Sequence, residues 1–264
     1  MTAFVDLDAP AAEPDTGAAS SRILLILPCF NEAAAVGPLL MEIAHLRAGF
    51  ETVVIDDGST DNTYEVARTM SRCVRLVHNL GIGGAVQTGT RFARDNGYDF
   101  CVQIDGDGQH PPAEVMKLLQ AYRQGKANVV IGSRYLTSLT FRSTLARRMG
   151  SRIIGAALRL FFGGTRISDP TSGLRLFDRA AIEFFAARYP HDYPEPISIA
   201  WALRSGLTIK EVPVRMRARE HGVSSIAGLR TMSYMVRVLS YIVLARLQTP
   251  VRPRAVVTEE YLSS

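Results

Sequence analysis

The sequence predicts an α/β protein, Rossmann-like, with a mostly parallel sheet and helices on both faces. Three observations carry this. Short apolar runs of strand length alternate with helical patterns between residues 22 and 133. The first run is apolar without a break, as a strand covered on both faces is. The links between runs are short and rich in Pro, Gly, Asp and Asn, which end strands and open helices. With 47% hydrophobic and 21% charged residues in 264, the chain can fill a sizeable core and is not disordered throughout.

The elements follow in order. Residues 22–27 (RILLIL) are a buried strand that Pro28 stops, and Asn31 and Glu32 open a helix running to about Gly49. Residues 52–55 form a second strand ending in Asp56-Asp57-Gly58-Ser59, with Asp61 as cap of the next helix. A third strand covers 74–77, and a glycine-rich start opens a helix over 81–97. The fourth strand, 100–104, is stopped by Asp105-Gly106-Asp107-Gly108; Pro111-Pro112 start a helix to about Gln124, and 128–131 form a fifth strand. Residues 28–32, 56–59, 79–84 and 105–109 all lie at carboxyl ends of strands, where parallel sheets bind ligands, so they should converge on one crevice.

The second half is less regular. A helix covers 145–162, and the loop Ser168-Asp169-Pro170-Thr171-Ser172-Gly173 precedes a short strand at 174–177. A helix starts at Asp178, another runs from Tyr193-Pro194-Glu195-Pro196 to Ser205, and 208–216 alternate as a strand before a charged loop at 217–222. The segment Leu229–Leu247 is amphipathic: Arg230, Ser233, Tyr234, Arg237, Ser240 and Tyr241 share one face, and Met232, Met235, Val236, Leu239, Ile242 and Val243 the other. Packing on its own domain, a membrane interface and a dimer contact all fit such a helix. Residues 1–21 are an Ala, Pro, Asp, Ser and Thr-rich disordered tail without a signal-peptide pattern, and 249–264 a second tail. No run of 18 uncharged apolar residues is present, so a spanning helix is not expected.

Charge is divided along the chain. Residues 1–133 hold 10 Lys and Arg against 16 Asp and Glu, a balance of −6; residues 134–264 hold 20 against 9, a balance of +11. An acidic half suits a cation and an Arg-rich half suits phosphate or an anionic surface. Codon usage is the alternative source of the 27 Arg against 3 Lys. Basic residues are not interleaved with aromatics in a nucleic-acid-binding motif, so nucleic acid is not an expected partner. Cys29, Cys73 and Cys101 lie in or beside strands, with neither CxxC nor zinc spacing, which points to a reducing cytoplasm.

Asp105 and Asp107, at i and i+2 beyond a strand, can turn two hard carboxylates into one crevice, a donor set for Mg²⁺ or Mn²⁺ shared with substrate phosphates. Gln109 adds a carbonyl and His110 an imidazole, and the glycines, Gly106 among them, let phosphate approach. A solvated Asp-Gly turn fits the same letters. Gly81, Gly83, Gly84 and Gly89 open a helix with G-x-G-G spacing, which is not a dinucleotide fingerprint, and no Walker lysine follows. Backbone N–H groups near Gly84 remain suited to phosphate. Ser133 has no nucleophile-elbow glycines.

In this order and spacing, ILPCFNE at 26–32, VVIDDGSTDNT at 53–63, NLGIGGAVQTG at 79–89, QIDGDGQHPPAEV at 103–115, IGSRY at 131–135, DPTSGLRLF at 169–177 and EVPVRMRAREHGVSSI at 211–226 resemble the family 2 glycosyltransferases, in particular their dolichyl- and polyprenyl-phosphate mannose synthase-like branch. The resemblance implies a nucleotide-sugar-binding GT-A catalytic domain over 22–226; the amphipathic helix read from periodicity follows it, at 227–248. It implies that Pro28, Asn31, Glu32 and Asp57 line the base and ribose pocket, that Asp105 lies by ribose and phosphate, and that Asp107 and Gln109, with Asp105, hold the metal. Gly106 stands where relatives often have Ala, a change expected to loosen the loop. Asp169 and Arg175 match the ends of the family's D-x-T-S-G-x-R motif, and Arg134, Arg148 and Arg219 match arginines proposed to bind acceptor or donor phosphate.

The implied reaction is inverting transfer of a hexose, from a GDP-mannose or UDP-glucose type of donor, to polyprenyl phosphate. An acceptor that is already an anion needs little deprotonation but does need positive charge. A hydroxyl acceptor would need a carboxylate base, for which Asp169 and then Glu195 are candidates. A saccharide or small-molecule acceptor, or a nucleotide-sugar-binding module without turnover, are the alternatives. The expected place is the cytoplasmic face of the cell membrane, by peripheral contact or through a membrane partner protein, with a homo-oligomer compatible with the same helix.

Overall fold

The computed structural model describes residues 21–136, 145–163, 166–217 and 229–248. The expected tail at 1–21 (all but its last residue), the tail at 249–264 and Arg219 lie outside the described residues.

Among the described residues, seven strands and eight α-helices follow one another as β1 (Ile23–Cys29), α1 (Ala33–His45), β2 (Glu51–Asp56), α2 (Thr63–Arg68), β3 (Arg72–Arg75), α3 (Gly81–Asp95), β4 (Phe100–Gln103), α4 (Val115–Gly125), β5 (Val129–Ser133), α5 (Leu145–Phe162), β6 (Arg175–Asp178), α6 (Arg179–Ala187), α7 (Pro194–Arg204), β7 (Ile209–Pro213) and α8 (Leu229–Leu247). The sheet order is β3-β2-β1-β4-β6-β5-β7. All neighbours are parallel except β6, which runs antiparallel to both β4 and β5, with Gln103 opposite Arg175 and Val130 opposite Leu176. The mostly parallel sheet with helices on both faces is as expected.

The unbroken apolar run of β1 has a simple cause. Strand side chains alternate between faces. Leu24 and Ile26 enter a layer with Ala85 and Val86 of α3 and Ile182 of α6. Leu25 and Leu27 enter the opposite layer with Val36, Leu39 and Leu40 of α1 and Leu118 of α4. Each such side chain is worth about 1.5–3 kcal/mol on burial. Helix α3 lies close on β1 because residue 89 is Gly; a Cβ there would fall on the Ile26 side chain.

Pro28 does not stop β1, which continues to Cys29. The missing N–H is tolerated at a strand's end. What the neighbours need there is acceptors: Gly106 N–H donates to Pro28 O at 3.3 Å, and Asp57 N–H to Cys29 O at 2.8 Å. Asp61 is not the cap residue of α2, which is Asn62. Its Oδ1 accepts from the Thr63 N–H at 2.9 Å, while Oδ2 accepts from the Ala33 N–H of α1 at 3.1 Å. Ser59 Oγ and Thr63 Oγ1 accept from the Asn31 and Glu32 N–H groups at 2.9 and 2.8 Å. The donors at the entry to α1 are thus satisfied by the β2–α2 loop and the first residue of α2, not by a cap of its own.

Helix α8 packs against α5 and α7. It buries Val238, Ile242 and Ala245, with Tyr234 and Met235 partly covered. The expected division of faces is corrected at Met232, Val236 and Val243, which stay exposed on a second apolar stripe. No helix among the described residues is long and apolar enough to cross a membrane. The three cysteines are free, and burial pushes their thiols up, to about 12 for Cys73.

Candidate active site

The ends of β1 and β2 and the start of α3 bring Pro28, Asn31, Glu32, Asp57 and Gly84 to one side of the sheet. Asn31 has a left-handed backbone, φ 56°, which Asn tolerates better than most residues. Its Oδ1 accepts from the Thr60 N–H at 2.9 Å, locking the turn. Asp57 is buried, and its Oδ1 accepts from the Leu80 N–H at 2.7 Å. Burial pushes the Asp57 carboxyl above its ordinary value; the Leu80 and Gly81 N–H groups at the start of α3 hold it back. Gly84 sits one turn into α3, against the Leu80 side chain.

Asp105 and Asp107 follow β4. Gln103 Nε2 donates weakly to Asp105 Oδ1 at 3.4 Å, and the Gln109 N–H donates to Asp107 Oδ1 at 3.1 Å. His110 has no exposed surface, and Nε2 lies 4.0 Å from Asp105 Oδ2. Neither ring nitrogen has a hydrogen-bond partner among the described residues. Burial lowers the imidazole's pKa; the Asp105 carboxylate opposes that shift. The Gln109 carbonyl accepts from the Arg217 N–H at 2.8 Å, and Arg217 is anchored to Glu42 by two bonds of 2.8 and 2.7 Å.

Two glycines set this spacing. A Cβ on Gly106 would meet Cys29 Sγ and the Pro28 carbonyl, so Gly106 lets the acidic loop close on β1. The expectation that glycine loosens the loop there is corrected: it tightens the contact. A Cβ on Gly173 would fall inside the Asp105 carboxylate. The 168–173 loop and the acidic loop therefore touch.

At the end of β5, Arg134 meets Asp169. Arg134 Nε donates to Oδ2 at 2.7 Å, Nη2 to Oδ1 at 2.6 Å, and the Arg134 N–H to Oδ2 at 2.9 Å. Asp169 has no exposed surface. The carboxylate raises the Arg134 pKa, against the lowering effect of burial. Behind Asp169 stands Glu211 of β7. Its carboxylate accepts from the Ser168 N–H (2.7 Å), the Ser168 hydroxyl (2.9 Å) and the Asp169 N–H (2.7 Å). Burial pushes the Glu211 carboxyl up, and these donors restrain it. Its motif assigns Glu211 no role; a carboxylate inside an alternating strand is the signal that marks it.

Arg175 is buried and directed away from any open surface. Its guanidinium donates to the carbonyls of Ser172 (2.8 Å) and Pro170 (3.0 Å) and to Ser198 Oγ (2.7 Å). It thereby braces the 170–172 loop. Glu195, in the first turn of α7, has a carboxyl raised by burial and lowered by Arg175.

Arg148 lines a cavity of about 800 Å³ beside this loop, together with Arg134, Arg152, Arg159 and Arg166. No acidic side chain lines it among the described residues. Arg152, Arg159 and Arg166 are the members that the motifs do not mark.

Asp105, Asp107 and Gln109 offer hard oxygen donors beside a buried imidazole whose nitrogens have no partner among the described residues. No three His, Cys, Asp or Glu side chains converge on one point among the described residues. That donor set fits a hard divalent cation sharing its coordination with a ligand's phosphates.

Residues 24–185 match the model of Glycosyl transferase family 2. The polyprenol monophosphomannose synthase of Mycolicibacterium smegmatis is 31% identical over 255 residues, covering 93% of this chain and 95% of that protein. The UDP-N-acetylglucosamine–dolichyl-phosphate N-acetylglucosaminyltransferase of Methanococcus voltae is 28% identical over 228 residues, 78% of this chain and 90% of that protein. Among solved structures, glucosyl-3-phosphoglycerate synthase from Mycobacterium tuberculosis in complex with phosphoglyceric acid superposes with a TM-score of 0.65 at 23% identity, over 84% of this chain and 80% of that one. At that identity the likeness is one of fold.

Proposed function

The chain belongs to glycosyl transferase family 2, and from that premise we propose that this glycosyltransferase moves a hexosyl group from a nucleoside diphosphate sugar to polyprenyl phosphate, with inversion. The named relatives act on polyprenyl or dolichyl phosphates but differ in sugar, which supports the lipid phosphate more than any one donor. The observation that carries the reading is the state of Asp169. Both of its oxygens are engaged by Arg134 and it has no exposed surface, so it is not placed to take a proton from a hydroxyl. An acceptor that arrives as a phosphate anion needs no such base.

The residues divide the work. Pro28, Asn31, Glu32 and Asp57, with Gly84 at the start of α3, surround the nucleoside, and Asp105 and Gly106 the ribose and diphosphate. Asp105, Asp107 and Gln109 would hold a divalent cation, Mg²⁺ or Mn²⁺, which would supply positive charge where the diphosphate leaves. Asp169 fixes the fork of Arg134, and Arg134 and Arg148, with Arg219, bring the acceptor phosphate against the donor's anomeric carbon. Arg175 keeps the loop that carries Asp169 in shape. The acceptor implies contact with a membrane surface on the cytoplasmic side.

A panel of GDP- and UDP-sugars with Mg²⁺ or Mn²⁺, offered polyprenyl phosphate and labelled in the sugar, tests this. Label should pass into organic solvent as a glycolipid, and Asp107→Ala should abolish the transfer. Label found only in a water-soluble product would instead support a hydroxyl acceptor, with the raised carboxyl of Glu195 as the base.

A further inference from the structure

Helix α5 carries three stripes. Ile154 and Leu158 are buried against the core. At 100° per residue, Arg148, Arg152 and Arg159 fall within about 40° of one another and face the cavity. About 100° further round the same helix lie Met149, Ile153 and Leu160, whose side chains are exposed, Leu160 by 79%. Soluble surfaces do carry single apolar residues, but three on one stripe beside an arginine stripe is the composition of a helix lying in a membrane interface. α8, packed on α5, exposes its own apolar residues, Leu247 by 76%.

The arginines exceed what one acceptor phosphate can use. Along the helix axis, Arg148 and Arg159 stand about 16 Å apart. The carbonyl of Ile167 lies against Gly155, about one turn before Arg159 on α5. Arg166 precedes Ile167 in the chain and lines the same cavity as Arg159. A phosphate held at Arg148 is thus about three turns of α5 away from Arg159. Neither Arg159 nor Arg166 has an acidic partner among the described residues, and both line the cavity.

We propose that Arg159 and Arg166 form a second anion subsite, which takes the headgroup phosphate of an anionic phospholipid and, with the neighbouring exposed stripe of Met149, Ile153 and Leu160, seats α5 on the bilayer. The inference rests on the lipid-phosphate reading above and adds to it a lipid that is bound but not glycosylated. Charge complementarity selects the occupant: two guanidinium groups without an acidic partner among the described residues, beside exposed apolar side chains, match phosphate above acyl chains.

The test is sedimentation with vesicles of phosphatidylcholine alone, or with phosphatidylglycerol added, for the wild type, Arg159→Gln/Arg166→Gln and Leu160→Ser. Turnover is read in parallel on a short water-soluble prenyl phosphate without vesicles. The wild type should bind the anionic vesicles, and less so as salt rises. The double variant should bind them on the order of 30-fold more weakly, with turnover on the soluble acceptor within about twofold of wild type. Leu160→Ser should weaken binding by a smaller factor, near fivefold. Equal wild-type binding to both vesicle types, undiminished binding by the double variant, or release by millimolar inorganic phosphate alone would overturn the proposal. So would an equal loss of turnover on the soluble acceptor, which would assign the two arginines to the acceptor itself. A wild type that binds anionic vesicles through these arginines yet glycosylates no prenyl phosphate would refute the function and leave the subsite standing.

Discussion

Asp169 and Arg134 illustrate what a buried charge pair requires. Removing one partner leaves the other charge uncompensated, which costs about 3–5 kcal/mol in comparable buried pairs. Asp169→Asn should therefore reduce kcat by at least about 100-fold through a misaligned Arg134, while nucleotide affinity stays within a few-fold. Steady-state kinetics and calorimetric nucleotide titration separate the two. Glu211 acts one layer further back. Replacing it by Gln puts an N–H₂ toward at least one of three donors, at a cost of about 1–3 kcal/mol. Glu211→Gln should fold, melt lower and lose kcat more than donor affinity. The pair Asp169 and Arg134 was visible as two motif letters; the clasp by Glu211 was not, because residue spacing does not reveal which neighbouring strand a carboxylate faces. Glu195 gives a pH prediction. Burial raises its carboxyl above the usual 4.5. A raised carboxyl holds its proton more tightly in the folded chain, so its favourable contribution is complete below 4.5 and is lost as pH rises through the folded value. Melting temperatures of wild type and Glu195→Gln should shift in the variant's favour across that window; a constant difference would show that Glu195 does not titrate there.

The elements follow local chemistry where it is strong. α5 and α8 occupy the spans that periodicity predicts, and the five strands of the first half are displaced by one or two residues at their ends. Boundaries moved where a tertiary bond overrode a local signal, as at Pro28, whose carbonyl is held by Gly106. Loop contacts were less legible. The glycine of D-x-T-S-G-x-R looks like a turn residue, yet its lack of a Cβ is what admits the Asp105 carboxylate. Gly173→Ala should displace Asp105, reducing turnover by two orders of magnitude or more if Asp105 meets the donor, with little change in circular dichroism. Unchanged kinetics would place Asp105 outside the donor site.

At the scale of the whole molecule, the acidic and the Arg-rich halves are not separate bodies. β6, from the second half, is inserted antiparallel between β4 and β5 of the first, and β7 completes the edge beside β5. Periodicity identifies strands but not their partners, so this insertion could not be read from the sequence. It predicts one unfolding unit. Fluorescence of Trp201, in α7 of the second half, and far-ultraviolet circular dichroism of the entire chain should follow the same urea transition. Two separated midpoints would contradict that. The capping of α1 by Ser59, Asp61 and Thr63 has a different kind of consequence. Two stretches of chain some thirty residues apart share one set of hydrogen bonds, so neither can be exchanged alone. In a chimera with a relative, a crossover placed between residues 34 and 58 would separate donors from acceptors and leave the start of α1 bare, whereas a crossover after residue 70 would carry the whole arrangement across intact.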